Sequence, residues 1–554
     1  MKKITRTLAL LLTLVMALSL FAGCGNSEAP AATEAPAATE APQAAATEAA
    51  PSDDPYFVTG EPITFTFAAA GPTSWGDLST KQFVKDLEEK TKVHIEWNQF
   101  PMEVANERVG IMMASSPRPD AFWGHNNFKR QQADIYGKQG LLIDLKPLIM
   151  EHAPHIKAVF DEFDAWKNLD AGNGCIYALP AINTGYKENS IVHTELLMNM
   201  DLLKEVGMEV PTTTEELYEV LKAFKGQKTA DGKDIIPFSY GPIYGYGDML
   251  RGAFGIVEST APGTMDGVYL QYDGNTIETI ADKDNYKEYI KYMNRLFTEG
   301  LMDQEVYTHD NNMFNSKGQA GQLASFVDYG GWVVAGEANI TSGKYDVVPV
   351  LAGPDGTKLT QNRFNPVRNA SDFCITVDCK DPVSLIKFID LFYNEDLTVG
   401  YECSFGPEGI NWNFDENGNF VKLPTPDTFN SYGEFRGSET LCSGPFALTE
   451  KTYGREPISG NAKIKAGLDV RGGYNDAAVL PVLPVLPFTD EETEQLSVLR
   501  TDLMDYILSF EAACITGQKD VEAEWEGHLK QLEKLGQYDL QEIYTNALAR
   551  YNGQ

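Results

Sequence analysis

Ile63-Thr-Phe-Thr-Phe67 alternates apolar and polar side chains and runs on into Ala68-Ala-Ala-Gly71. A period of two belongs to a pleated strand with one covered face, and the small apolar tail predicts a buried strand that empties into a loop. Phe83, Val84, Leu87 and Glu88 then follow at helical spacing, and Val93-His-Ile-Glu-Trp97 alternates again. Met112-Met-Ala-Ser-Ser leads into Pro119-Asp-Ala-Phe-Trp-Gly124, a short apolar burst read as a third strand. This β-α-β-α-β order predicts an α/β fold, a parallel-rich sheet with helices on both faces. Ligands of such sheets gather beyond the carboxyl ends of the strands. The residues there are Thr73, Ser74 and Trp75 after the first strand, and Trp123, His125 and Asn126 after the third.

Leu196 to Lys204 and Thr214 to Phe224 read as helices, the second opened by Pro211-Thr-Thr-Thr-Glu-Glu, a capping signal. A second lobe begins about here and runs through Leu323-Ala-Ser-Phe-Val-Asp-Tyr-Gly-Gly-Trp332, where an apolar strand again ends in glycine and an aromatic. Asp346-Val-Val-Pro-Val-Leu351 reads as a strand leaving this lobe, and Asp372-Phe-Cys-Ile-Thr-Val377 as one re-entering the first. From Asp490 the periodicity is mostly helical: Leu496, Leu499, Leu503, Tyr506, then Leu529, Leu532, Leu535, then Ile543, Ala547, Tyr551. Asp415-Glu-Asn-Gly-Asn419 has the composition of a hairpin turn.

The chain has 554 residues, several times the ~150-residue norm of one domain. Lys plus Arg number 45 against 79 Asp plus Glu, a net −34 that repels phosphate backbones and anionic lipid, so no nucleic-acid partner is expected. At the N-terminus, Lys2, Lys3 and Arg6 precede an uncharged run from Leu8 to Phe21 that is short for a bilayer span and flanked like a secretory signal. Residues 25–55 repeat Ala-Thr-Glu-Ala-Pro units, as in Thr33 to Pro42, with no aromatic to bury. Proline and glutamate extend such a stretch to roughly 3 Å per residue, a tether.

No GxSxG elbow, HExxH pair, P-loop or complete GxGxxG is present, and the seven histidines are scattered. A carboxylate pair needs no sequence signature, so a secreted glycoside-active enzyme stays as an alternative, beside an adhesive surface lipoprotein. Cys175, Cys374, Cys379, Cys403, Cys442 and Cys514 show no framework or zinc spacing. They read as free, buried thiols, with Cys403 and Cys442 the pair if one bridge forms.

Several stretches together resemble the extracellular solute-binding proteins of ABC importers, family 1, the maltose-binding-protein-like group. They are Arg118-Pro-Asp-Ala-Phe-Trp-Gly124, Gly140-Leu-Leu-Ile-Asp-Leu-Lys-Pro-Leu148, Gly174-Cys-Ile-Tyr-Ala-Leu-Pro180, Met198-Asn-Met-Asp-Leu-Leu203, Phe405-Gly-Pro-Glu-Gly-Ile-Asn-Trp412, and Asp502-Leu-Met-Asp-Tyr506 with Trp525. Leu20-Phe21-Ala22-Gly23-Cys24 resembles a bacterial lipobox, which implies lipidation of Cys24. The resemblance implies a two-lobed, type II periplasmic-binding-protein-like fold, each lobe a mixed sheet flanked by helices, with a helical C-terminal region. Residues 1–23 are then the signal peptide and 24–55 the lipidated cysteine and disordered spacer. Residues 56–184 and about 350–430 form the N-terminal lobe, and 185–349 and about 431–554 the C-terminal lobe with its helices.

The implied function is saccharide binding in an interlobe cleft and delivery to an ABC-transporter permease, by a monomer anchored on the outside of a bacterial, Gram-positive cell membrane, without catalysis and without cofactor or metal. Flat aromatic rings suit the C–H faces of sugars, and amides and carboxylates their hydroxyls. The candidate ligand-binding residues are Trp75, Trp123, Asn126, Tyr244, Asp328, Tyr329, Trp332, Arg368, Glu408 and Trp412. Trp123 has a competing reading as a core cap, and Trp412 faces either cleft or core. Arg363, Arg368 and Arg436 offer bidentate pairing to an anionic sugar, against a role in balancing neighbouring carboxylates. Relatives carry a calcium loop where this chain has Lys228-Thr-Ala-Asp-Gly-Lys-Asp-Ile-Ile-Pro237, but Asp231 and Asp234 are its sole carboxylates and the loop reads as degenerate.

Overall fold

The computed structural model describes residues 54–71, 75–124, 126–184, 195–241, 248–259, 269–328, 331–361, 366–416, 418, 420–429, 432–441, 443–449, 451 and 477–553. Cys24, the signal segment, the spacer as far as Asp53, Thr73, Ser74, His125, Tyr244, Tyr329, Arg363 and Cys442 lie outside the described residues.

A six-stranded mixed sheet runs in the order Phe446–Leu448, Leu179–Asn183, Val367–Ile375, Ala121–Trp123, Ile63–Gly71, Val93–Pro101. Ile63–Gly71 pairs in parallel with Val93–Pro101 along its whole length, Ile63 opposite Val93 and Gly71 opposite Pro101, and with Ala121–Trp123 on its other side. A strand with neighbours on both sides and cover above and below buries both of its faces. Phe65, Phe67 and Ala69 therefore enter one core cluster, and Ala68 and Ala70 the other. Val93–Pro101 is the edge strand and keeps the polar half of its alternation, His94, Glu96 and Asn98, exposed. The Gln82–Thr91 helix between them buries Phe83, Val84 and Leu87, the helical spacing expected. Asp120 aligns the third strand with the first by accepting from the Thr66 amide at 2.7 Å and its hydroxyl at 2.8 Å.

Phe446–Leu448 pairs in parallel with Leu179–Asn183. The segment reaching Leu448 thus belongs to the first sheet, beyond the boundary of about 430 drawn from sequence. Three residues are too few for a period to register.

The second sheet has the order Tyr345–Val347, Glu195–Asn199, Ser325–Asp328, Ser239–Tyr240. Here the expected single helix from Leu196 to Lys204 divides. Glu195–Asn199 is a strand, and the Met200–Glu205 helix follows, capped by Asn199, whose side chain accepts from the Leu202 amide at 3.0 Å. Leu196, Leu197 and Met198 are all fully buried because this strand lies between two others, and a continuous apolar run has no period to distinguish it from helix. The Thr214–Phe224 helix forms as read, with Thr213 accepting from the Glu216 amide at 3.1 Å.

Helices Asp490–Ile515, Val521–Lys534 and Gln537–Tyr551 close the chain. Leu496, Leu503, Ile507 and Phe510 join Tyr286, Ile290 and Met293 of the Asp284–Thr298 helix in the second-lobe core. Arg251, buried, donates to Glu511 at 3.0 Å, and the Tyr286 hydroxyl donates to the same carboxylate at 2.5 Å. Burying either charge alone costs several kcal/mol, so this pairing ties the long helix to its lobe. Lys138 on the first lobe reaches Asp490 at 2.7 Å, and Lys167 lies 3.6 Å over the Tyr551 ring. Among the described residues no helix is long and apolar enough to cross a membrane.

Candidate functional site

The parallel strands Ile63–Gly71, Val93–Pro101, Ala121–Trp123, Leu179–Asn183 and Phe446–Leu448 end at one edge of the first sheet, where antiparallel Val367–Ile375 begins. Trp75 stands there, and its ring lies so close over Gly71 that a Cβ on Gly71 would come within 2.9 Å of Cε3. Only glycine permits that approach. The Trp75 loop is held from several directions. Gln99 accepts from the Leu78 amide at 3.1 Å and donates to the Gly76 carbonyl at 2.7 Å, and Asp77 accepts from Ser79 at 2.9 Å. Gly71, Trp75, Gln99, Trp123, Leu441 and Ser443 line a shallow depression of about 10 Å³, room for one water, so a larger ligand would lie across its open mouth. Asn126 joins the same edge, its amide donating to the Ala70 carbonyl at 3.3 Å. Arg368 occupies a register position opposite Ala181.

Trp123 is a core residue that shows this depression only a rim. It is 2% exposed, its ring lies 6.1 Å from Phe67 at an interplanar angle of 17°, and Phe373 and Phe392 meet it edge-on. The reason is position: Ala121–Trp123 is flanked by strands on both sides, and alternation aims Trp123 into the same cluster as Phe67. Trp412 is also core. It is fully buried, stacks on Phe420 at 5.2 Å and donates through Nε1 to the Gly406 carbonyl at 2.6 Å. Its hairpin partner strand is Phe420–Lys422, as the Asp415–Asn419 composition predicts. Glu408 is exposed beside it. Neither residue joins the strand-end edge through any contact described.

The second sheet has its own strand-end edge. Ser239–Tyr240 and Ser325–Asp328 end there and Glu195–Asn199 begins, so Glu195 and Asp328 are cross-strand partners. Burial first, and then the Asp346 carboxylate, push the Glu195 carboxyl up to about 8. Tyr240 meets Tyr307 edge-on at 6.5 Å, and Tyr307 is 40% exposed. His309 lies 3.0 Å from the Tyr240 carbonyl through Nε2, and Asp303 accepts from Ser239 at 3.0 Å and Lys317 at 2.8 Å. Burial opposes ionisation of Asp303, and hydrogen bonds from His309, Lys317 and the Glu305 amide outweigh it, holding the carboxyl well below the usual carboxylate range. Trp332 is not on the strand tip itself. It lies in the Gly331–Ala335 helix that follows, partly buried against a cluster containing Phe314 and Phe326.

Sequence reading missed Glu195, Asp346, Gln99 and Ser443. Glu195 was discoverable as a charge opening an apolar run, whereas Gln99 and Ser443 enter the edge only through strand pairing. In the Lys228–Pro237 loop, Asp234 pairs with Lys228, and Asp231 pairs with Lys233 at 3.1 Å. Among the described residues no cluster of three His, Cys, Asp or Glu could hold a metal ion.

Residues 73–398 match the family model of the bacterial extracellular solute-binding protein. The chain belongs to that family. This solute-binding protein is 32% identical over 493 residues to the fructooligosaccharide ABC transporter substrate-binding protein FusA of Streptococcus pneumoniae serotype 4 (strain ATCC BAA-334 / TIGR4), covering 85% of this chain and 87% of the relative. The solved structure of S. pneumoniae FusA in complex with kestose matches with a TM-score of 0.74 and 27% identity, over 88% of this chain and 99% of that one. An EF-hand mutant of FusA in complex with fructo-nystose gives a TM-score of 0.76 at the same identity and coverage. The solute-binding protein thus has the type II periplasmic-binding-protein-like fold that its motifs imply, with mixed sheets, flanking helices and a helical C-terminal region.

Proposed function

We propose that this solute-binding protein is the saccharide-binding component of an ABC importer and that its ligand is a neutral oligosaccharide of the fructan type. One observation carries the reading: an aromatic depression at one strand-end edge, Trp75 over Gly71, and a carboxylate-bearing edge on the other sheet, Glu195 opposite Asp328. Trp75 offers a flat apolar face to sugar C–H bonds. Asp328 accepts from hydroxyls, Asn126 does either, and Glu195 in its neutral form donates. The carboxylates and a net charge of −34 oppose a uronate. The ligand class in the printed name of FusA, fructooligosaccharide, supports the same choice.

Contacts made to both lobes favour the closed form by the differential affinity they supply, and the closed form docks on a membrane permease. The ligand leaves unchanged, because the protein binds and does not cleave. Cys24 carries the lipid that holds this monomer on the outside of a Gram-positive cell membrane, with the 24–55 segment as spacer.

Titration calorimetry with kestose, nystose and a galacturonate trimer tests the assignment. Heat with the first two and none with the third is expected, and bound kestose should be recovered intact by mass spectrometry after long incubation. Silence with both fructans, or preference for the galacturonate, removes the fructan assignment. Time-dependent appearance of smaller sugars, absent from a heat-treated control, moves the protein to the glycosidase alternative.

A further inference from the structure

Lys81 is 4% exposed and buries its ammonium among backbone carbonyls drawn from two separate segments of the chain. It donates to the carbonyls of Trp75 and Ser438, and to that of Gly437 at 3.2 Å, 356 positions away. An ammonium has three donors, and the carbonyls of Trp75, Gly437 and Ser438 are among the acceptors that meet it. Gly437 and Ser438 lie in the last turn of the Tyr432–Glu439 helix, where the outward carbonyls and the helix dipole both favour a cation. The chain leaves that helix directly into Leu441 and Ser443, which line the depression opposite Trp75. One buried side chain therefore joins the segments that supply both walls.

We propose that Lys81 is a positioning residue for the bound saccharide, fixing the Trp75 wall of the depression against the Leu441 and Ser443 wall. The affinity part of this rests on the saccharide reading above; the positioning part does not. The Gln99 and Asp77 anchors attach the Trp75 loop to its neighbouring strand and to itself. Lys81 adds a fastening across the depression. A ring already held at the right separation loses less freedom when a sugar stacks on it, and affinity gains what the loop does not have to lose.

The substitution Lys81→Met removes the three donors and keeps most of the aliphatic stem, and Lys81→Arg restores donors to the same carbonyls. Both are compared with wild type, alone and combined with Trp75→Ala, by kestose titration calorimetry. In parallel, the chain is labelled with 5-fluorotryptophan and the Trp75 resonance assigned through Trp75→Phe. Lys81→Met is expected to move or broaden the Trp75 resonance and weaken kestose binding about tenfold, with Lys81→Arg recovering much of the loss. In the Trp75→Ala background the same change should alter affinity by less than about twofold, because its effect passes through the ring. An unmoved Trp75 resonance, or an equal loss of affinity in both backgrounds, overturns the proposal. Should Lys81→Met not fold, Lys81→Gln takes its place in the cycle. If wild type gives no heat with kestose, the fructan reading fails on its own, and the fluorine resonance decides whether Lys81 holds the wall.

Discussion

The indole Nε1 of Trp123 donates to the backbone carbonyl of Ser443 at 2.7 Å, joining residues 320 positions apart. This bond satisfies the single polar atom of a ring otherwise packed among Phe67, Phe373 and Phe392. It also draws the 443–449 segment onto the first sheet. The side chain is therefore a structural element of the lobe, and the site inherits its position from it.

Replacing Trp123 by alanine should accordingly cost stability. A buried aromatic truncated to alanine loses about 3–5 kcal/mol, read as a lower denaturation midpoint with an unchanged slope. Measured well below the variant's melting temperature, kestose affinity should also fall, because the Ser443 wall loses its bond to Nε1, but binding should persist. A normal midpoint with abolished binding would return Trp123 to the ligand.

Trp75→Ala should behave in the opposite way. Its ring is partly buried at the open edge, so the denaturation midpoint should stay close to wild type while saccharide affinity falls by about 1–3 kcal/mol, the range for an aromatic anchor. Calorimetry beside thermal melting separates the two, and a large fall in melting temperature with intact affinity would place Trp75 in the core instead.

Glu195 makes stability depend on pH with a definite sign. Its folded-state value near 8 stands above that of an unfolded glutamate, so between roughly pH 4.5 and 8 the folded state holds the proton more often. Stability from this group is complete below about pH 4.5 and is lost as pH rises through 8. Glu195→Gln should therefore raise the melting temperature at pH 8 relative to wild type and leave it nearly unchanged at pH 4. A difference of equal size at both pH values would show that Glu195 does not titrate in this way.

The thiols give a further test. Cys175, Cys374, Cys379 and Cys514 are free, and the last three are buried. Burial pushes the Cys379 thiol up to about 12 and that of Cys514 up to about 11, and raises Cys374 as well. Since the thiolate is the reactive form, native protein should react with thiol reagent quickly at Cys175 and slowly at those three. Under denaturing, non-reducing conditions all six cysteines other than Cys24 should react, and fewer than six would reveal at least one bridge.

The anchor is tested by Cys24→Ser. Expressed with its signal in a Gram-positive host, wild type should partition with membranes and carry an acylated N-terminus, and the serine variant should appear in the medium. Equal membrane retention of both, with no lipid by mass spectrometry, would leave the protein without a lipid anchor.

Much of the architecture was legible in the chain because it depends on neighbours a few positions apart. The alternation of Ile63 to Phe67 and the helical spacing of Phe83, Val84 and Leu87 specify a strand and a helix whatever lies around them. The Thr213 cap and the Asp415–Asn419 turn composition are local in the same sense. Their order along the chain was enough to predict two α/β lobes with a helical end.

What tertiary structure alone decided is which side of each element is covered. Glu195–Asn199 and Leu179–Asn183 lie inside their sheets with unbroken apolar stretches, Leu196 to Met198 and Leu179 to Ile182, and covering both faces erases the period by which strand is told from helix. Trp75 follows one strand and Trp123 ends another, yet the first is partly open over Gly71 and the second is enclosed, because Val367–Ile375 inserts beside Ala121–Trp123 from hundreds of positions away. The depression likewise takes its far wall from Leu441 and Ser443 and its fastening from Lys81. Sequence determines local geometry through short-range sterics and hydrogen bonding, whereas burial is a property of the partners that pairing brings together, and those partners are distant in the chain.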